Sequence, residues 1–347
     1  MTARRLLPWI VFAAVAGFIA WKLHSSHFDW AGFAQSLRAA DFRLIALAIL
    51  TIYSNNLLRA MRWAVFLRPA FKQSGKKPLP WWKLAGSQFI GFTGLAIFGR
   101  IGELIRPLLV ARRTGLTFSS QVAVVTVERV FDLGAFALIF SLNLLISPQL
   151  KTLPYLHKAG YTIAGLTVFL LVFVASVRLA GELVARTSGW LAGLISASAG
   201  AAVKEKILSF REGLNVIDSL GDFALAAGLS LALWVTIAIA YVLVLKSFPA
   251  PVSDLSVGQI IVLMGFSIAG SALPIPGGSG AWAGNSFALA QLFHLPTELA
   301  GSAGLMVWLV GSMAVIPAGL IFAKLEGISL GQVARGSEAA EAGIGQG

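Results

Sequence analysis

Two arginine-containing segments carry side chains suited to phosphate binding. Arg59 and Arg62 are three residues apart and would share one face of a helix. Arg100, Glu103 and Arg106 repeat this spacing and form a basic–acidic–basic row. A guanidinium donates paired N–H groups to a phosphate, and a neighbouring carboxylate can orient it. Two structural alternatives stay open: anchoring of the first pair at the cytoplasmic membrane surface, and an interfacial row of ion pairs for the second.

A third group, Glu128, Arg129 and Asp132, lies within a long apolar stretch. An ionisable residue at mid-membrane costs about 2.5–3.5 kcal/mol on insertion scales, so its position is informative. Glu128 and Asp132 are four residues apart and would repel each other unless a basic side chain from elsewhere, such as Arg100 or Arg106, lies against them. We expect all three to face the protein interior, either as contacts between helices or as the lining of a substrate path.

A proline–glycine segment interrupts a further apolar region. Pro276 interrupts the helical pattern, and Gly277, Gly278 and Gly280 permit backbone conformations and close approaches that other residues resist. A helix that starts near Ser279 would direct free N–H groups into the membrane, where they attract anions. We therefore include this segment among the candidate substrate-binding residues.

The sequence offers little for catalysis or for metal binding. It contains no cysteine, and His24, His27, His157 and His294 lack the spacing of metal ligands. Neither a nucleotide-binding P-loop nor a G-x-S-x-G nucleophile motif occurs. We expect no catalytic residue, no metal and no cofactor.

The composition is that of a membrane protein. Apolar residues make up 57% of the 347 residues and charged residues only 12%, and the mean hydropathy is +0.81. These values exclude a soluble enzyme, a nucleic-acid-binding domain and a secreted disulfide-stabilised protein. We attribute the net charge of +12 to basic loops at an anionic cytoplasmic membrane surface, and we expect no nucleic-acid partner.

The positions of the apolar stretches predict the fold class. Seven of them occur, at about 7–23, 42–58, 84–98, 120–147, 159–177, 222–245 and 299–323, and an eighth region at 257–294 contains the proline–glycine break. The pattern predicts an all-α polytopic membrane protein with about six spanning helices. We expect 84–98, which is rich in glycine, and 257–294 to be re-entrant broken-helix elements that enter from opposite faces.

The distribution of lysine and arginine supports that topology. With two re-entrant elements, 20 of the 27 basic residues lie in cytoplasmic loops and 6 outside, whereas a spanning helix at 84–98 would place 12 inside and 14 outside. Both termini are then cytoplasmic. We expect one transmembrane domain over residues 1–325 and a disordered cytoplasmic tail over 326–347.

Four of these motifs occur in the order seen in one known family: Arg59-x-x-Arg62-Trp63, Arg100-x-Gly102-Glu103-x-x-Arg106, Glu128-Arg129-Val130-Phe131-Asp132 and Pro276-Gly277-Gly278-Ser279-Gly280. Over residues 5–325 the chain resembles the transmembrane region of lysylphosphatidylglycerol synthases, the flippase-like or UPF0104-type membrane proteins. The resemblance implies a bacterial or archaeal cytoplasmic-membrane protein related to lipid translocation. It also implies no synthase activity, because we expect the aminoacyl-transfer domain of the two-part synthases to be absent.

The leading hypothesis is a flippase-like transporter that moves an anionic, isoprenoid or glyco-lipid between leaflets. Arg100 and Arg106 would contact the phosphate of the head group, and Glu103 would orient them. The expected partners are membrane lipids. A lipid-pathway enzyme and a second copy of the chain are further possible partners. Two alternatives remain: a membrane-embedded lipid-linked transferase with Glu103 or Asp132 as base, and a non-transporting partner of a lipid-biosynthesis enzyme.

Overall fold

The chain divides into two compact units in the computed structural model. The first unit contains Met1–Asn55, Phe89–Glu103 and Thr236–Ala334, and the second contains Asn56–Gln88, Leu104–Val235 and Arg335–Gly347. The structure describes residues 29–148, 154–194, 196, 198, 200–205, 219–272, 278–329 and 331. The predicted first helix at 7–23, most of the predicted tail, Pro276 and Gly277 lie outside the described residues.

Helices account for most of the described chain. In order they are α1 Trp30–Arg38, α2 Phe42–Phe66, α3 Arg68–Ser74, α4 Trp82–Phe98, α5 Arg100–Glu103, α6 Ile105–Thr114, α7 Phe118–Ile146, α8 Pro154–Gly193, α9 Leu220–Lys246, α10 Val257–Ser271, α11 Gly280–Phe287, α12 Thr297–Trp308 and α13 Val315–Leu325. Two π-helical turns, Ala288–Leu292 and Leu309–Met313, follow α11 and α12.

The predicted fold class is confirmed: the structure is 83% helical and has no strand among the described residues. In the described part of the chain, three segments are long and apolar enough to cross a membrane, namely Phe42–Ser74, Leu220–Lys246 and Thr297–Leu325. The 29 residues of α7 cover the predicted stretch at 120–147 except for its last residue and extend roughly 43 Å at 1.5 Å per residue. The predicted stretch at 159–177 lies in α8, which bends at Ala180 (φ −135°, ψ 40°).

The chain reverses direction at the end of α4. Gly99 adopts a left-handed conformation (φ 64°), and α5 and α6 run back along α4. Arg113 Nη1 donates to the Lys83 carbonyl, Arg106 Nη1 donates to Gln88 Oε1 at 3.2 Å, and a Cβ at Gly102 would overlap the Gly94 carbonyl. These antiparallel contacts define a first hairpin, residues 82–114, with its tip at Gly99.

The hairpin differs from the prediction in where its backbone is interrupted. The sequence placed irregular backbone within 84–98, but α4 is a regular helix from Trp82 to Phe98, because glycine within a helix is tolerated where packing supports it. The interruptions fall instead at Gly99 and at Leu104, between α5 and α6. The expected continuous helical row through Arg100 and Arg106 is therefore broken.

A second hairpin, formed by α10 and α11, flanks the proline–glycine break. Ser256 and Gln259 form a capping box at the start of α10. A Cβ at Gly270 would overlap the Gly280 carbonyl, so the backbones of α10 and α11 are in direct contact. Helix α11 begins at Gly280 with Ser279 as its N-cap residue, where the sequence predicted a helix start.

An apolar core in the second unit fixes the helices that carry the candidate residues. Phe131 of α7 packs between Phe66 of α2 and Phe223 of α9, with ring centroids 5.6 and 5.4 Å apart. Trp63 is fully buried in the same core. Because large aromatic side chains resist repacking, these contacts hold α2, α7 and α9 in register.

Candidate functional site

Arg62 is the centre of a charged cluster buried within the second unit. It projects from α2 and is fully buried. Its Nη1 donates to Asp132 Oδ1 at 2.6 Å and to Ser230 Oγ at 2.7 Å, and its Nη2 donates to Glu128 Oε1 at 2.8 Å. Glu128 and Asp132 lie one turn apart on the same face of α7, so one guanidinium spans both carboxylates.

Arg106 completes the coordination of Glu128 from a different helix. Its Nη2 donates to Glu128 Oε2 at 2.7 Å, and its Nη1 donates to Gln88 Oε1 at 3.2 Å. The guanidinium carbon lies 4.4 Å from the centroid of the Trp63 ring, a cation–π contact that covers one face of the ion. The predicted pairing of Arg106 with a carboxylate of the 128–132 segment is thereby confirmed.

Arg59 forms the less buried edge of the cluster. Its Nη1 lies 3.6 Å from Asp132 Oδ2, and the two side chains are 16% and 12% exposed. By contrast, the side chains of Arg62 and Glu128 are 0% and 2% exposed. Arg59 is one turn before Arg62 on α2, which explains why both reach the same carboxylate. We refer to Arg59, Arg62, Arg106, Glu128 and Asp132 as the arginine cluster.

The arginine cluster holds more positive than negative charge. Among the described residues it contains three guanidinium groups and two carboxylates. Two buried donors nearby, Arg62 Nε and Gln88 Nε2, make no hydrogen bond within the described chain. Buried charge is expensive unless it is balanced, and buried donors are normally satisfied. The cluster is therefore chemically suited to accept an anion.

The other predicted site residues divide between the two units. Arg129 was expected to face the interior, but it is exposed, because it is rotated by about 100° from Glu128 around α7. Glu103, which is half-buried, belongs to the first unit, as do Arg100, Gly278 and Gly280. The substrate-binding roles of these residues stay predictions, as do those of Pro276 and Gly277.

Three polar residues of the cluster's surroundings were missed by the sequence analysis. Gln88 and Ser230 contact the arginines directly, and Gln121 accepts a hydrogen bond from Trp63 Nε1 at 3.2 Å. All three are fully buried. An uncharged polar residue within an apolar helix can indicate a binding site, and all three positions have this property. Their separation along the sequence gave no indication that positions 88, 121 and 230 lie near the same cluster. No group of three or more potential metal-ligating side chains occurs in the part of the chain that the structure describes.

The comparisons with known proteins place the chain in a family. Residues 9–319 match the model of the lysylphosphatidylglycerol synthase transmembrane region. No curated protein and no solved structure matches the chain. The matched region is the membrane part of the synthases, which is associated with lipid metabolism or transport. Together with the apolar helices, this match makes the chain a multi-pass membrane protein that belongs to the lysylphosphatidylglycerol synthase transmembrane-region family.

Proposed function

We propose that the protein moves lipids with a phosphate-bearing head group between the leaflets of a bilayer, and that the arginine cluster binds the phosphate. The observation that carries the proposal is the excess of guanidinium over carboxylate groups in a site that the protein buries. A phosphodiester carries one negative charge, which equals the excess positive charge of the cluster. Entry of the phosphate would therefore balance the formal charges of these five side chains.

Each member of the cluster has a distinct part in this proposal. Arg62 and the two carboxylates connect Arg59 with Arg106. Glu128 and Asp132 hold the guanidinium groups in place, so that a phosphate meets donors already oriented. Gln88 Nε2 supplies an uncharged donor beside Arg106.

A leaflet-exchange assay tests the proposal. Purified protein is reconstituted into vesicles that contain a fluorescent anionic phospholipid, and the rate of exchange is followed by bleaching the outer leaflet. Arg106→Gln removes one charge-assisted contact, worth roughly 1.5–3 kcal/mol, and should slow exchange about tenfold or more. Arg112→Gln is the matched control, because Arg112 is an exposed arginine of the same helix.

Three results would contradict the proposal. Equal rates for wild type, Arg106→Gln and Arg112→Gln would remove the phosphate-binding role. A chemically altered lipid, detected by mass spectrometry after incubation, would indicate the transferase alternative. No exchange by the wild type, with cluster variants that change only the recovery of a lipid-pathway enzyme, would indicate a non-transporting partner.

We also infer an orientation with both termini on the cytoplasmic side of a bacterial or archaeal cytoplasmic membrane. The support is the concentration of basic residues in the loops assigned to that side. Lys72, Lys76 and Lys83 flank the base of the first hairpin, and Lys76 Nζ donates to the Gly115 carbonyl at 2.5 Å. Such a basic surface is attracted to anionic lipid head groups.

A further inference from the structure

A row of aromatic side chains begins one helical turn beyond the arginine cluster, within the second unit. Phe136 follows Asp132 by four residues on α7, and Trp234 follows Ser230 by four residues on α9. The ring centroids of Phe136 and Trp234 are 4.8 Å apart, and those of Phe136 and Phe140 are 5.3 Å apart. All three aromatic side chains are half-buried. We refer to Phe136, Phe140 and Trp234 as the aromatic row.

On α7 the aromatic row passes from the buried face of the helix towards its exposed face. Four residues advance about 40° around a helix, so Phe136 and Phe140 are rotated by about 40° and 80° from Asp132. Leu133, which is rotated by about 100°, is 65% exposed. An exposed leucine on an apolar helix of a membrane protein contacts lipid chains. The row therefore connects the less buried edge of the cluster, where Asp132 lies, with the lipid-facing side of α7.

Charged and apolar groups follow one another along these helices in the order found in a lipid molecule. Asp222 lies in the first turn of α9 and pairs with Arg68 at the start of α3. Ser230, which contacts the central arginine of the cluster, lies about 12 Å further along α9, and Trp234 lies about 18 Å further. On α7, the exposed Arg129 also precedes the aromatic row. A lipid with its head group towards the start of α9 would meet cationic groups first and aromatic rings next.

We propose that the aromatic row holds the apolar chain of a lipid whose phosphate lies at the arginine cluster. This inference rests on the proposed function and names its substrate class. The substrate is an amphiphile whose phosphate lies within about 6 Å, one helical turn, of its first apolar groups. Glycerophospholipids and phosphorylated isoprenoids meet this condition, whereas a water-soluble phosphate ester has no chain to place at the row.

The aromatic row alone gives little preference for one lipid over another. The chains of all bilayer lipids are about equally apolar, so contact with the row gains little relative to contact with other lipids. A preference at the row must therefore come from the phosphate at the cluster. This dependence distinguishes a substrate site from ordinary lipid-facing surface.

Photocrosslinking measures which lipid lies at the aromatic row. The photoreactive residue p-benzoylphenylalanine replaces Phe136 in the full-length protein. The nanodiscs contain phosphatidylglycerol and a diglycosyl diacylglycerol with the same acyl chains, which carries no phosphate. After irradiation, mass spectrometry should show phosphatidylglycerol adducts enriched about tenfold or more over the lipid ratio of the nanodisc. Phe140 is the second labelling position if replacement of Phe136 prevents folding.

Phe169 is the matched control, because it is a phenylalanine on α8, in the same unit, and is 62% exposed. Labelling at Phe169 should give the lipid ratio of the nanodisc. Arg106→Gln should return the ratio at Phe136 to that value. Excess glycerol 3-phosphate should leave the phosphatidylglycerol adduct at Phe136 unchanged, because the row connects the cluster with lipid.

Three results would overturn the inference: the nanodisc ratio at Phe136, an enrichment that persists in Arg106→Gln, or a clear loss of the adduct with glycerol 3-phosphate. The leaflet-exchange assay separates these failures from failure of the proposed function. The nanodisc ratio at Phe136, combined with slower exchange by Arg106→Gln, overturns only the chain site. An enrichment that Arg106→Gln abolishes, without any exchange by the wild type, supports the chain site and contradicts transport.

Discussion

Arg62 connects the two carboxylates of α7, and Glu128 in turn connects Arg62 with Arg106. Each carboxylate therefore serves two guanidinium groups. Removing one charged member of such a network leaves an uncompensated buried charge. Its loss is therefore more destabilising than the replacement of two oppositely charged members together. From the repulsion between the two carboxylates, the sequence predicted that a basic side chain such as Arg100 or Arg106 would lie against them, and the structure shows Arg106 paired with Glu128. The sequence did not predict that Arg62 lies between the two carboxylates, since anchoring at the membrane surface explained that residue equally well.

Neutralising Glu128 should destabilise the second unit strongly. Glu128→Gln leaves three buried guanidinium groups against one carboxylate, and we expect a loss of roughly 3–5 kcal/mol in the free energy of unfolding. Denaturant unfolding in detergent measures the change. Glu182→Gln, at an exposed position of α8, should change stability by less than about 0.5 kcal/mol.

The double variant should be less damaging than its two parts suggest. Arg106→Gln combined with Glu128→Gln removes one charge of each sign, so the excess positive charge of the cluster returns to its original value. We expect a favourable coupling energy of about 1–3 kcal/mol from the double-mutant cycle. Strict additivity of the two single variants would show that the 2.7 Å contact contributes nothing in the folded protein.

At the scale of elements, the two hairpins place backbone in direct contact with backbone. Gly102 approaches Gly94 in the first, and Gly270 approaches Gly280 in the second. Hydropathy and loop charge predicted that the chain turns back at both places. They did not locate the first interruption. Gly94 and Gly99 could each end a helix, and the sequence does not distinguish them, because only tertiary contacts decide that α4 continues through Gly94 and ends before Gly99.

Alanine substitutions in the first hairpin should distinguish a glycine required by close packing from a glycine required by its backbone conformation. Gly102→Ala would overlap the Gly94 carbonyl and should destabilise the protein by several kcal/mol, measured by denaturant unfolding. Gly99→Ala has space around it but a positive φ, so we expect a loss of roughly 1–2 kcal/mol. Gly228→Ala is the control: it lies in α9 with no atom nearby, and alanine should stabilise it by up to about 1 kcal/mol. Equal effects at all three positions would contradict the hairpin packing.

At the scale of the whole molecule, the two units alternate along the chain. Three of their boundaries fall inside continuous helices, between Asn55 and Asn56, between Gln88 and Phe89, and between Val235 and Thr236. Sequence analysis predicts a domain boundary from a change in composition or a flexible linker, and neither occurs within an apolar helix. The alternation of the two units was therefore not predictable from the sequence. The all-α class and the family were predictable, from the apolar stretches and the motifs. The single domain over 1–325 stays a prediction.

Topology can be tested directly because the chain contains no cysteine. Lys77→Cys and Thr117→Cys flank the first hairpin, and both should react with a membrane-impermeant maleimide from the cytoplasmic side. Asp254→Cys, in the loop between α9 and α10, should react from the opposite side. Labelling of Lys77→Cys and Thr117→Cys from opposite sides would mean that residues 84–98 cross the membrane, which would contradict the re-entrant prediction.

The central claim is that a lipid phosphate binds at the arginine cluster. An electron cryomicroscopy structure in nanodiscs that contain phosphatidylglycerol tests it most directly. The account predicts phosphate density within hydrogen-bond distance of the Arg106 guanidinium and of Gln88 Nε2, with Glu128 still bound to Arg62. An unchanged network of ion pairs, with lipid phosphates only at the membrane surface, would contradict it.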